Sequence, residues 1–194
     1  MEKKMNVEDL RISYLNAMTE LGKFAADRHS HVPDSAGMSA LRSLEELEES
    51  NQMVAKLNQK IVQACNQLRS IEQLSRHELG VVRLMGEDVP NSIRVLMAIL
   101  IGKSLAGSWT YELRNVGTLI LPAAGDDVAE QLAVREAFGQ NGMMRKYVLC
   151  KVGRTIDETS DLTFKESAFR TILALEPDTE CDELLEANTG ARLA

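Results

Sequence analysis

Aromatic residues are scarce in this chain: Phe, Trp and Tyr make up 4% of its 194 residues, and there is one Trp. The core must therefore be filled by Leu, Ile, Val, Met and Ala, which favours helices packed on helices over a sandwich or barrel. Cysteine is sparse as well. Cys65, Cys150 and Cys181 form no CxxC pair and no zinc spacing, so neither a disulfide framework nor a zinc finger is expected. Long apolar runs are missing: Val95 to Ile101 falls far short of the roughly 20 residues needed to cross a bilayer. The first five residues are basic, but charge returns between Val7 and Arg11, where a signal peptide would be apolar. These absences lead us to expect a cytoplasmic protein with no membrane partner. Basic charge is also in deficit, with 22 Lys and Arg against 29 Asp and Glu, a formal net charge of -7. Phosphate backbones repel such a chain unless a local basic patch intervenes.

What is present is helical periodicity. Val7, Leu10, Tyr14, Ala17/Met18, Leu21 and Phe24 recur at helical spacing and predict a first helix over Val7 to Asp27. The pattern breaks from Asp27 to Gly37, with Pro33 and Gly37 inside the break. A second helix, about 40 residues long, is predicted from Met38, with no Pro or Gly before Gly80. Along it Leu44, Leu47, Asn51, Val54, Asn58, Ile61, Cys65 and Leu68 alternate spacings of three and four, the heptad rhythm of a coiled coil. The d positions Leu47, Val54, Ile61 and Leu68 are apolar, whereas the a positions Leu44, Asn51, Asn58 and Cys65 are weak. Leu44, Leu47, Asn51, Val54, Asn58, Ile61 and Leu68 are thus the candidate interface, for helix packing or self-association. The hairpin, with both Asn at the solvent edge, is preferred over a dimer because the first helix carries a matching stripe.

Gly86 to Pro90 reads as a boundary. Beyond it, Ser92 is expected to cap a helix through Ile93, Leu96, Met97, Leu100 and Ile101, ended by Gly107. A short helix over Tyr111 to Val116 and a turn at Pro122 and Gly125 come next. Asp126 and Asp127 then open a third helix through Val128, Leu132, Val134 and Phe138. A strand over Lys146 to Val152, a polar loop, a returning strand over Leu162 to Phe164 and a helix over Lys165 to Leu175 complete the pattern. The expected organisation is a mainly α protein: a helical hairpin or coiled coil over 1–85, a winged-helix-like α+β module over 91–176, and a tail or linker over 177–194.

No complete catalytic motif emerges, and no enzyme activity, cofactor or metal is expected. Gly102-Lys103-Ser104 has the ending of a phosphate-binding loop, but the Gly required upstream is Met97, inside an apolar helical run. His29 and His31 sit among Asp27 and Asp34, which is short of the three or four ligands that zinc takes. His77 completes no spacing. Glu45, Glu46, Glu48 and Glu49 read as a solvated helix face, and Met143 and Met144 as packing residues.

Three helices followed by a small hairpin is the winged-helix order, which raises DNA binding. The third helix opposes it: Asp126, Asp127, Glu130 and Glu136 face Arg135 alone. Arg145, Lys146, Lys151 and Arg154 in the wing are more favourable, but Asp157, Glu158 and Asp161 follow. The stretches Leu132 to Phe138, Asn141 to Val148 and Leu162 to Leu173 resemble a winged-helix segment that precedes the ATPase module in bacterial AAA+ proteins. The resemblance covers roughly Asn91 to Leu175. It implies an accessory or regulatory region of such an ATPase, mediating assembly or recognition of a protein partner, with any catalytic motifs in a following module. The alternative is a winged-helix DNA-binding regulator.

Overall fold

Glu8 and Asp9 in its first turn, and Arg28, His29 and His31 in its last, complement the dipole of helix α1, Val7–His31. In the computed structural model, which describes residues 6–31, 44–106, 114–150 and 155–175, α1 runs one turn past Asp27. Its buried face is Leu10, Tyr14, Ala17, Met18, Leu21, Ala25 and Arg28. The predicted stripe holds in the middle and fails at its ends, where Val7 is exposed and Phe24 only half-buried. Helix α2, Leu44–Leu74, is shorter than expected. It stops in a turn where Arg76 and His77 adopt positive φ, while residues 38–43 lie outside the described ones. Tyr14 meets Glu72 and Arg28 meets Asn58, so α1 and α2 run antiparallel as a hairpin.

A short helix that the sequence did not announce, α3 (Val81–Met85), leads into α4 (Asn91–Ala106). The helix starts at Asn91, so Ser92 lies inside the first turn and is not its cap. Its Oγ has no hydrogen-bond partner in the protein. From Ile93 to Ile101 every residue of α4 is buried except Ile99, as expected of a helix surrounded by others. It packs on α1, where a Cβ added to Gly22 would lie 3.2 Å from Ala98 O. Strand β1 (Arg114–Asn115) and α5 (Val116–Ala124) follow, so Val116 opens a helix and does not end one, and Pro122 lies within that helix. Asn115 caps α5 by accepting from the amide of Gly117 at 2.9 Å. Residues 107–113 lie outside the described ones, and with them the expected stop at Gly107.

Asp127 caps α6 (Val128–Ala137) as expected, accepting from the amides of Ala129 and Glu130. A 3-10 turn over Met143–Lys146 takes the place of the first predicted strand residue. β2 (Val148–Cys150), β3 (Asp161–Phe164) and α7 (Glu166–Ile172) complete the chain that is described. The strands form a small antiparallel sheet in the order β1-β3-β2, with Arg114 opposite Leu162 and Val148 opposite Phe164. One hydrophobic cluster runs from Leu10 through α2 and α4 to Leu173, continuous across the Gly86–Pro90 loop.

Charge is buried at the centre of this cluster. Glu72 Oε2 pairs with Arg94 Nη1 at 2.5 Å, with the two side chains 2% and 3% exposed. Its other oxygen accepts from Tyr14 Oη at 2.7 Å, and Tyr14 Oη in turn accepts from the amide of Val81 at 3.1 Å. Gly80 closes the site: its φ is +102°, and an added Cβ would lie 2.6 Å from Glu72 Cγ and 2.9 Å from Tyr14 Oη. Glu72→Ala should lower stability to urea by about 3–5 kcal/mol, because it strands the Arg94 charge. The double variant Glu72→Leu/Arg94→Met should recover most of that loss. A double variant as unstable as the single would show that the stranded charge is not the cause.

Candidate functional site

The seven candidate interface positions on α2 separate into two groups. Ile61 and Leu68 are buried, along with Cys65, in the core that α2 shares with α1. Leu44 is 87% exposed, Asn51 is exposed, and Leu47 and Val54 are half-buried. Asn58 stands between the groups, exposed, with its Oδ1 3.4 Å from Arg28 Nη1. The seven therefore do not form one seam, because the antiparallel match to α1 ends near Arg28 and Asn58. Further towards the start of α2, Ser50 Oγ donates to the carbonyl of His31 at 2.5 Å. The N-terminal turns of α2, with Leu44, Leu47, Met53 and Val54, present a partly apolar surface.

A second exposed apolar surface lies on α6. Val128 is 67% and Leu132 53% exposed, one turn apart on the outer face. Of the apolar residues that the sequence spaces along the third helix, Val134 and Phe138 are buried, with Ala137, whereas Val128 and Leu132 are not. The same helix carries Asp127, Glu130 and Glu136, and Arg135 is paired with Glu158. The loop that delivers Glu158 is set by Asp157, whose Oδ1 accepts from the amide and hydroxyl of Thr159 at 2.9 and 2.7 Å. Those bonds hold the Asp157 carboxyl below its ordinary range. Glu158 O in turn accepts from the amide of Gly117 at 2.8 Å, anchoring the loop to α5. Leu149 on β2 and Met143 are exposed as well, whereas Met144 is fully buried.

Gly102, Lys103 and Ser104 lie within α4, with Ser104 Oγ donating to Leu100 O at 2.9 Å. That is ordinary helix geometry, with no loop to curl around a phosphate. His29 and His31 are exposed in the last turn of α1 and not in a loop. Two residues apart on a helix, they point to different sides. Among the described residues no three His, Cys, Asp or Glu side chains converge to hold a metal ion. No described helix is long and apolar enough to cross a membrane. His77 lies 3.6 Å from Glu87, and both line a cleft of about 500 Å³ together with Arg69, Glu72, Asp88 and Arg94.

The spacing of the sequence places Tyr14 on the apolar stripe of α1 without showing its polar role, and it singles out none of Glu72, Arg94 and Arg28. A signal for Arg94 and Glu72 is nevertheless present. Arg94 interrupts an otherwise apolar helix, and Glu72 directly follows Ile71 on the buried stripe, so each is a charge in a place that demands a partner. No protein-family model, curated protein or solved structure matches this chain.

Cys65 gives a measurable readout of the hairpin core. It is fully buried, and burial pushes its thiol up from 9.0 to about 11. A folded value above the unfolded one favours the fold fully below about pH 9, and that contribution disappears as pH rises towards 11. The shift corresponds to at most about 3 kcal/mol. Cys65→Ala should flatten the alkaline decline of stability over that window, and in the native protein Cys65 should resist a thiol reagent at pH 8. An unchanged decline in the variant would place the titrating group elsewhere, with Tyr14, also pushed up by burial and by Glu72, the first alternative.

Proposed function

We propose that this chain is a non-catalytic protein-interaction or regulatory module, an accessory region of an AAA+ ATPase that mediates assembly or partner recognition. The observation that carries the reading is the outer face of α6, where exposed Val128 and Leu132 sit among acidic side chains. The order α4-β1-α5-α6-β2-β3-α7, with a β1-β3-β2 sheet, supports a winged-helix arrangement in which α6 takes the position of the recognition helix. A helix there that reads DNA presents cations to phosphate. This one presents carboxylates and two aliphatic side chains, and its Arg135 already has a carboxylate partner. Aliphatic groups ringed by charge suit a protein surface. The partly apolar start of α2 offers a second place for contact, so self-association is part of the same proposal.

Photo-crosslinking from position 132 in the host cell tests it, with the crosslinked species identified by mass. A second copy of the chain or an AAA+ subunit is expected, and Val128→Asp/Leu132→Asp should abolish the product. Both side chains are exposed, so the double variant should keep its stability within about 1 kcal/mol. Light scattering should show self-association weakened by Leu47→Asp. A gel-shift titration decides against the alternative: a winged-helix DNA-binding regulator would bind duplex near 50 mM salt, where phosphate contacts are strongest. Binding there, with crosslinks to nucleic acid alone, would overturn the protein-interaction reading.

A further inference from the structure

Charge is unevenly spread over the C-terminal half of the chain. From Asp126 to Glu136 four carboxylates stand against Arg135 alone, and Arg135 is paired with Glu158. From Ala137 to Cys150 there is no acidic residue, and Arg145 and Lys146 are adjacent in the 3-10 turn that leads into β2. Lys165 joins them, its Nζ donating to the carbonyl of Lys146 at 2.8 Å. Glu166, the carboxylate next to it in sequence, is held by Arg170 at 3.2 Å. A protein of net charge -7 therefore carries a cationic patch as well as a carboxylate-rich helix.

Each patch also exposes aliphatic side chains. On α6 these are Val128 and Leu132, and exposed Glu136 lies one turn beyond Leu132 on the same face. On the cationic side Met143 and Leu149 are 41% and 52% exposed. Leu149 follows buried Val148 on β2, so it points away from the core. β2 is an edge strand, with β3 on one side and no described strand on the other. The two surfaces are thus alike in being partly apolar and uncovered among the described residues, and opposite in charge. That opposition decides what fits them. Two α6 faces set together would repel, as would two β2 faces, so copies of this chain can meet only through unlike faces. DNA phosphates would satisfy the cations but leave Met143 and Leu149 without apolar contact.

We propose that α6 of one copy docks on the β2 face of a second copy, Val128 and Leu132 against Met143 and Leu149, and Glu136 towards Lys146 and Arg145. This rests on the reading of the α6 face as a protein-interaction surface, and it adds the partner and the surface that the partner offers. Patches of this size and mixed character give weak association that salt screens.

Light scattering and sedimentation of the full chain test it with two variants. Leu132→Lys/Glu136→Lys makes the α6 face basic, and Lys146→Glu/Leu149→Glu makes the β2 face acidic. All four side chains are exposed, so both variants should keep the wild-type circular dichroism and melting temperature. The mass of the wild-type chain should rise with concentration towards about 1 mM, and rise less in high salt. Each variant alone should associate at least about tenfold more weakly, because like charges then face each other. Mixed in equal amounts, the two should recover a one-to-one pair, since one supplies an intact β2 face and the other an intact α6. Glu136→Lys and Lys146→Glu, which keep both leucines, should show the same loss and recovery to a smaller degree should a double variant misfold. A mixture that associates no better than its components would overturn the proposal, as would self-association that either variant leaves unchanged. A wild-type chain that stays monomeric while position 132 still crosslinks another protein would overturn it and leave the interaction reading standing. Crosslinks to nucleic acid alone would remove both.

Discussion

The fold depends on a carboxylate held out of water. Glu72 cannot remain charged in the centre of the molecule without partners, and its two oxygens take them from different elements, Arg94 of α4 and Tyr14 of α1. Tyr14 passes the constraint on by accepting from the amide of Val81, where α3 begins. Gly80 lies against the same site and donates its amide to Ile172 O of α7 at 2.5 Å. Five helices are therefore tied to one charge. Sliding α1 by a turn along α2 would part Tyr14 from Glu72 and leave two buried groups unsatisfied, a penalty that the non-directional apolar packing around them could not impose.

Two arginines on α1 extend this control to the ends of the molecule. Arg11 donates to Ala174 O just beyond α7, and Arg28 donates to Leu121 O and Pro122 O at the end of α5. Each guanidinium meets the carbonyl-rich end of a helix, where positive charge is favoured. They are 17 residues apart in sequence, about 25 Å of helix. Helix α1 thus packs on α2 along one side and fastens elements from the far half of the chain at both ends.

Much of the outline was legible in the residues. Helical periodicity located α1, α2 and α4, the two carboxylates before Val128 located the start of α6, and β-branched residues beside a polar loop located the β2–β3 hairpin. The errors have particular causes. The heptad count on α2 continued past the point where its partner ends, because spacing records which residues share a face and not what lies opposite. Val128 and Leu132 are spaced like core residues yet face outward, since α6 meets the rest of the molecule through Val134 and Ala137. Ser92 is a good cap by type, but the turn begins one residue earlier.

By itself the sequence determined that the chain is mainly helical, that its core is aliphatic and that α6 is acidic. These properties reside in single residues or in their local periodicity. Tertiary structure alone decided which apolar stripes are covered, that Glu72, Arg94 and Tyr14 meet, and that Arg28 reaches the end of α5. Those pairings join residues from about 20 to more than 90 positions apart. Hydrogen bonding and burial depend on distance in space, and only the packing of the helices sets that distance.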